Sequence, residues 1–200
     1  MSMHSLNQIC RMARPVSEEK REAILTSAAK LVATLGIGAP TAKIAKDAGL
    51  AEGTLFNYFA NKDELLNQLY LAIKADLSAQ MLKAYPAKGG LRERSRHVWD
   101  SFVDWGAKHP MQRKAMRQLN VSERINADSR RRGSLAFREI SRMIEESLAD
   151  GVLKEQSPAF VGAVLEALAE TTIEFIARDP RRRELYKQAG FELFWNGVAK

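Results

Sequence analysis

The residues of this chain best spaced for chemistry fall in one stretch, Thr41 to Leu66, which reads TAKIAKDAGLAEGTLFNYFANKDELL. Two short helical segments meet there at Gly49, three residues before the next helix opens. That spacing is helix-turn-helix geometry. Gly49 suits a left-handed turn, which a side chain would strain. Ile44, Ala45, Ala48, Leu50 and Leu55 are the small and apolar residues that pack two helices nearly crosswise. The opposite face of the second helix is then free for a DNA major groove. Other chemistry is poorly provided for. No nucleophile and base form a recognisable pair, and Gly36-x-Gly38 alone does not make a phosphate-cradling loop. His97 and His109 lack the paired spacing of a metal site. Neither a cofactor, a metal nor an enzymatic activity is expected.

The elements that position this stretch all read as helices. Ile24, Leu25, Ala28, Leu31, Val32 and Leu35 form one helical stripe, with Ser17 as cap and Gly36 and Gly38 as stop. Thr41 is a cap candidate for the next helix, and a third helix is expected from about Glu52 to Phe59. Asn61 and Glu64 make a capping-box pattern that opens a long helix ended by Pro86 and Gly89-Gly90. Further helices are expected at 91–108, 111–119 and 123–149, then from Ser157-Pro158 to Asp179-Pro180, with a last one to the C-terminus. No segment alternates convincingly as a strand, and no repeat is evident. The fold class is all-α.

Composition fits a soluble globular protein, with 46% hydrophobic and 28% charged residues. The single cysteine, Cys10, excludes an intrachain disulfide framework, and a cytoplasmic location fits. No apolar run is long enough to span a membrane. Met12 offers a second start, which would make the first eleven residues an upstream extension, and residues 1–14 are expected to be flexible. The net charge is +7, and residues 92–142 hold thirteen basic against six acidic groups. That band reads first as a solvated face, with an anionic effector site or auxiliary phosphate contacts as the other readings.

The series Thr41-x-x-Ile44-Ala45-x-x-Ala48-Gly49-Leu50-x-x-Gly53-Thr54-Leu55-Phe56-x-Tyr58-Phe59, continued by Asn61-Lys62-x-Glu64-Leu65, resembles the DNA-binding signature of the TetR family of transcriptional regulators. The stretches 105–110, 117–123 and 167–180 look like the branch that contains the multidrug-efflux regulator RamR. The resemblance implies a helix-turn-helix domain at 15–62 and a ligand-binding and dimerisation domain at 63–200. It implies DNA contacts by Thr41, Lys43, Ala51, Glu52, Gly53, Thr54, Asn57, Tyr58 and Lys62. Thr41 would turn its hydroxyl to phosphate, Thr54 would touch phosphate or a thymine methyl, and Asn57 would read an adenine edge. Tyr58 and Lys62 would hold phosphates, which position the domain while base contacts specify. Two positions depart from the common pattern. Ala51 stands where a capping serine or threonine is frequent, losing roughly 1 kcal/mol. Glu52 repels phosphate unless it accepts from a cytosine.

The resemblance also implies an effector cavity and a homodimer. Tyr70, Trp99, Phe102, Trp105, Met116, Phe137 and Met143 are the candidate ligand-binding residues, with core filling as the alternative for each. Tyr70 and Trp99 come first, because they offer flat faces and polar tips. His97 is read first as structural, with a place in the cavity beside Trp99 as the alternative. Flat aromatic or amphipathic compounds, cations included, are the expected effectors. Ala163, Leu165, Ala167, Leu168, Phe191, Phe194 and Trp195 are the expected dimer interface. The expected function is a homodimeric repressor released from double-stranded operator DNA by a small molecule. The rival is an all-α small-molecule-binding protein or enzyme that merely contains the helix pair.

Overall fold

The computed structural model describes residues 17–200, so the expected extension at 1–14, with Cys10 and Met12, lies outside the described residues. Among these are ten α-helices: α1 Glu18–Leu35, α2 Thr41–Asp47, α3 Glu52–Leu55, α4 Lys62–Leu82, α5 Leu91–Lys108, α6 Pro110–Asn120, α7 Ala127–Leu135, α8 Arg138–Ala149, α9 Pro158–Arg178 and α10 Arg183–Val198. A single 3-10 turn, Pro180–Arg182, precedes α10. The one strand-like feature among the described residues is an isolated antiparallel bridge between Leu153 and Ala199, which ties the α8–α9 link to the C-terminus. The fold is all-α, an N-terminal helix-turn-helix head followed by a helical body.

Local chemistry explains several helix ends. Ser17 accepts from the Lys20 amide, Asn61 from the Glu64 amide at 2.8 Å, and Ser157 from the Phe160 amide. Each satisfies a donor that the helix itself leaves free. Gly49 has φ 71°, and the amides of Gly49 and Leu50 donate to the carbonyls of Lys46 and Ala45. This closes α2 in a Schellman turn that only the left-handed residue permits.

Three expectations are corrected. Thr41 does not cap α2: Pro40 holds the cap position without a side-chain bond, and Thr41 is the first helical residue. The third helix stops at Leu55, and residues 56–58 continue as turns. The long helix expected over 123–149 is two helices with a break at Ala136 and Phe137. The Ser78 hydroxyl donates to the Ala136 carbonyl there, so a tertiary bond overrides local helical preference. Upstream, Asn126 caps α7, and Arg130 donates to the carbonyls of Asn120, Ser122 and Ile125. That fork keeps residues 121–126 out of the helix.

α1 lies along α6, α5 and α10 flank α9, and α4 packs on α5 and α7. One continuous core joins Ile24, Ala28, Ile44, Leu55 and Phe59 of the head to Leu69, Trp99, Met116 and Phe191 of the body. The mid-chain basic band is mostly spent on ion pairs within the protomer, some across elements and some within one helix. Arg113 is buried against Glu170, Arg96 meets Asp100, and Arg131 and Arg132 meet Asp128.

Candidate nucleic-acid interface and cavity

The head is built so that one side of α2 and α3 is buried and the other is bare. Ile44, Ala45, Leu55 and Phe59 enter the core against Ile24 and Ala28 of α1. Arg21 of α1 lies over the Phe59 ring at 5.8 Å and reaches Gln68 of α4. Ala51, Glu52, Gly53 and Asn57 are exposed, Thr54 is half-buried, and Lys43 is exposed on α2. Nothing stands within 4 Å of the position a Gly53 side chain would take, so the backbone there is open to close approach. Ala51 is the cap residue of α3 and makes no side-chain capping bond. Phe56, which sequence reading placed only within the family motif, is 43% exposed on the same surface.

Two hydroxyls of this surface are committed differently. The Thr41 hydroxyl donates to the Glu52 carboxylate at 2.6 Å, a bond between the starts of α2 and α3. It is therefore turned to Glu52 rather than outward. The Tyr58 oxygen accepts from the Ser17 amide at 3.3 Å, which leaves its own proton free. Lys62 is the first residue of α4, and its amine is held below the ordinary lysine range by burial, then by the nearby Arg124 guanidinium, against Asp63. Arg124 itself bonds Asp63 at 2.9 Å. Asn67 joins α4 to the same loop, donating to the Arg124 carbonyl and accepting from the Asn126 amide.

A cavity of about 510 Å³ lies in the body. Phe102, Met116 and Phe137 line it, together with Leu77, Met81 and Ile140. The other four aromatic or methionine candidates do not. Trp99 turns away to α10, stacking on Phe194 at 6.2 Å and donating its indole N–H to the Lys187 carbonyl. Trp105 donates to Asp76 at 2.7 Å and faces His109. Met143 accepts from the Tyr85 hydroxyl and lines a smaller void with Leu153 and Phe194. Tyr70 packs on Gly133 beside the cavity wall. His97 sits 3.1 Å from the Met81 carbonyl and against Tyr85, and is not among the residues that line the cavity. Polar wall residues escaped the sequence reading, namely Lys74, Ser141, Glu145 and Glu166. Their helical spacing looks like that of any solvated face, so no local signal marks them.

The expected dimer residues also divide. Phe191 and Phe194 are 1% and 3% exposed and serve the protomer core around Trp99, because α10 presents them to α5. Ala163 and Ala167 are exposed on α9, while Leu165, Leu168 and Trp195 are half-buried. On these two helices the large apolar residues left bare are Phe160 and Phe175 of α9 and Leu185 and Leu193 of α10, Leu193 at 67%.

Comparison with known proteins places this architecture. Residues 24–69 match the family described as bacterial regulatory proteins, tetR family. An uncharacterized HTH-type transcriptional regulator of Haemophilus influenzae is 31% identical over 90 residues, 44% of this chain and 48% of that protein. The chain thus spans about half the length of that relative. A Shewanella sp. PV-4 protein described as a tetR family transcription regulator superposes with a TM-score of 0.81 at 26% identity, over 90% of this chain and 98% of that one. A TetR family regulator of Marinobacter aquaeolei VT8 shares the fold at a TM-score of 0.81 and 20% identity, over 92% and 97%. The tetR-family match at residues 24–69 thus falls on an exposed helix-turn-helix, and the body behind it superposes on the Shewanella protein along nearly its whole length.

Proposed function

We propose that this chain is a homodimeric transcriptional repressor that leaves double-stranded operator DNA when a small molecule enters the cavity. The bare surface of α2 and α3 carries the reading. Gly53 admits a phosphate, Thr54 and Asn57 face the groove, and Tyr58 donates its free hydroxyl proton to the backbone. Lys43 and Lys62 add phosphate neutralisation at the edges. Thr41 holds Glu52 through its hydroxyl, which fixes that carboxylate instead of reaching phosphate. Residues 15–62 act as the head and 63–200 as the effector and dimer domain, with α1 seated on α6 as the seam.

The coupling follows from which helices touch both ends. α4 begins at Lys62 beside the head and carries Lys74, Leu77 and Met81 in the cavity wall. α6 packs on α1 and carries Met116. An effector that favours a different seating of these helices changes the spacing of two heads and lowers DNA affinity. Two recognition helices about 34–36 Å apart would meet successive major-groove faces. The exposed apolar residues of α9 and α10, with Ala163 and Ala167 allowing close approach, supply the pairing surface.

The test is fluorescence anisotropy at about 0.15 M salt, where non-specific binding is only roughly 10⁻⁴–10⁻⁶ M. DNA from upstream of the protein's own gene is the probe, and a scrambled duplex is the competitor. Tight binding that resists the competitor is expected for the wild type, and at least about tenfold weaker binding for Tyr58→Ala and for the dimer-face variant Leu193→Glu. Equal binding of wild type and Tyr58→Ala would remove the proposed docking.

A further inference from the structure

Lys74 is the only cation among the described residues that line the cavity. Its ammonium lies 5.6 Å from the centre of the Tyr70 ring and 5.4 Å from that of Phe137. It makes no hydrogen bond or ion pair to a described residue, so its three donors are unspent. Burial holds it below the ordinary lysine range, and the Glu166 carboxylate opposes that shift from beyond ion-pair distance. Glu166 is itself engaged, accepting from Asn120 at 3.3 Å. Glu145, the other acid of the wall, is exposed. The rest of the wall is largely apolar, with Leu77, Met81, Phe102, Met116 and Ile140.

A partly desolvated ammonium without an acceptor gains more from a carboxylate than from any neutral group. Two ring faces steady the charge but do not replace a hydrogen-bond acceptor. The volume falls within the range of small-molecule sites. We propose that the cavity takes an amphipathic anion, a carboxylate on an apolar body, with Lys74 as the group that recognises the carboxylate. This rests on the effector-cavity reading above and narrows the amphipathic compounds implied by the resemblance to anions.

Calorimetric titration of the full chain with decanoate, decanol and decyltrimethylammonium tests it without DNA. Decanoate binds most tightly to the wild type. Lys74→Met weakens decanoate at least about tenfold and leaves decanol within about twofold, while Lys74→Arg keeps the preference for decanoate. Gly162 lines the cavity with nothing within 4 Å of a side chain placed there, so Gly162→Phe fills the space and abolishes binding of all three probes. Tighter binding of decyltrimethylammonium than of decanoate, an unchanged decanoate affinity in Lys74→Met, or no decanoate binding at all overturns the anion. Decanoate binding that survives Gly162→Phe lies elsewhere on the protein and overturns the effector-cavity reading as well.

Discussion

Head and body expose their polar groups in opposite ways. In the head, the candidate DNA-facing residues lie within one continuous stretch, Thr41 to Lys62, and most of them are exposed on α2, α3 and the turn that follows α3. In the body, the cavity wall draws residues from α4 to α9, between Lys74 and Glu166, and they look inward. The head can therefore be specified by local spacing, because a helix-turn-helix fixes which side of each short helix is buried. The cavity exists only where several long helices fail to close on one another. A change in the head should move DNA affinity with little effect on stability, and a change in the body core should do the reverse.

Trp99→Ala should produce the largest effect. It removes an indole stacked on Phe194, next to Gly190 and bonded to Lys187. A loss of about 3–5 kcal/mol in urea unfolding is expected, with unchanged operator affinity of the folded fraction. A stable Trp99→Ala protein with altered ligand affinity would instead return Trp99 to the cavity.

Gly49→Ala places a side chain at φ 71°, where about 1–2 kcal/mol of strain is expected. Because this turn sets the angle between α2 and α3, it is the head position where stability and DNA affinity should fall together. Thermal melting and anisotropy on the same variant check that joint fall.

Asp104 gives the body a pH signature. Burial alone would raise its carboxyl, but hydrogen bonds and charge from Lys187 and Arg183 hold it below the ordinary aspartate range. The unfolded chain then binds a proton at a pH where the folded chain does not. The contribution is present above the ordinary aspartate value and is lost as pH falls through the folded one. Asp104→Asn should flatten the acid limb of the urea midpoint against pH and leave the salt dependence of DNA binding alone.

Lys62→Ala should give the smallest change. Removing one phosphate-neutralising charge lowers the slope of log affinity against log salt by about 1 and leaves unfolding within about 0.5 kcal/mol. An unchanged slope would take Lys62 out of the DNA contact and blur the contrast between the two regions.

Much of the fold was readable because its signals are local. Ser17, Asn61 and Ser157 each satisfy an amide three residues on, and Gly49 needs no partner beyond its own turn. The break between α7 and α8 was not readable, since it depends on Ser78, far away in sequence, capturing the Ala136 carbonyl. Thr41 illustrates the same limit within the motif. Its type and position suit a cap, yet Pro40 takes that place and the hydroxyl goes to Glu52.

From the residues alone one reads an all-α chain, several helix starts and stops, and a helix-turn-helix head whose residues 24–69 match the tetR family. Those properties follow from spacing along the chain. Tertiary structure decided which apolar residues are core and which are surface. Trp99, Phe191 and Phe194 close on one another, while Phe160, Leu185 and Leu193 are left bare. It also decided that Lys74 stands in a cavity wall without an acceptor among the described residues. A helical period gives each helix an apolar face, but the neighbour that covers that face is set by packing of the whole chain.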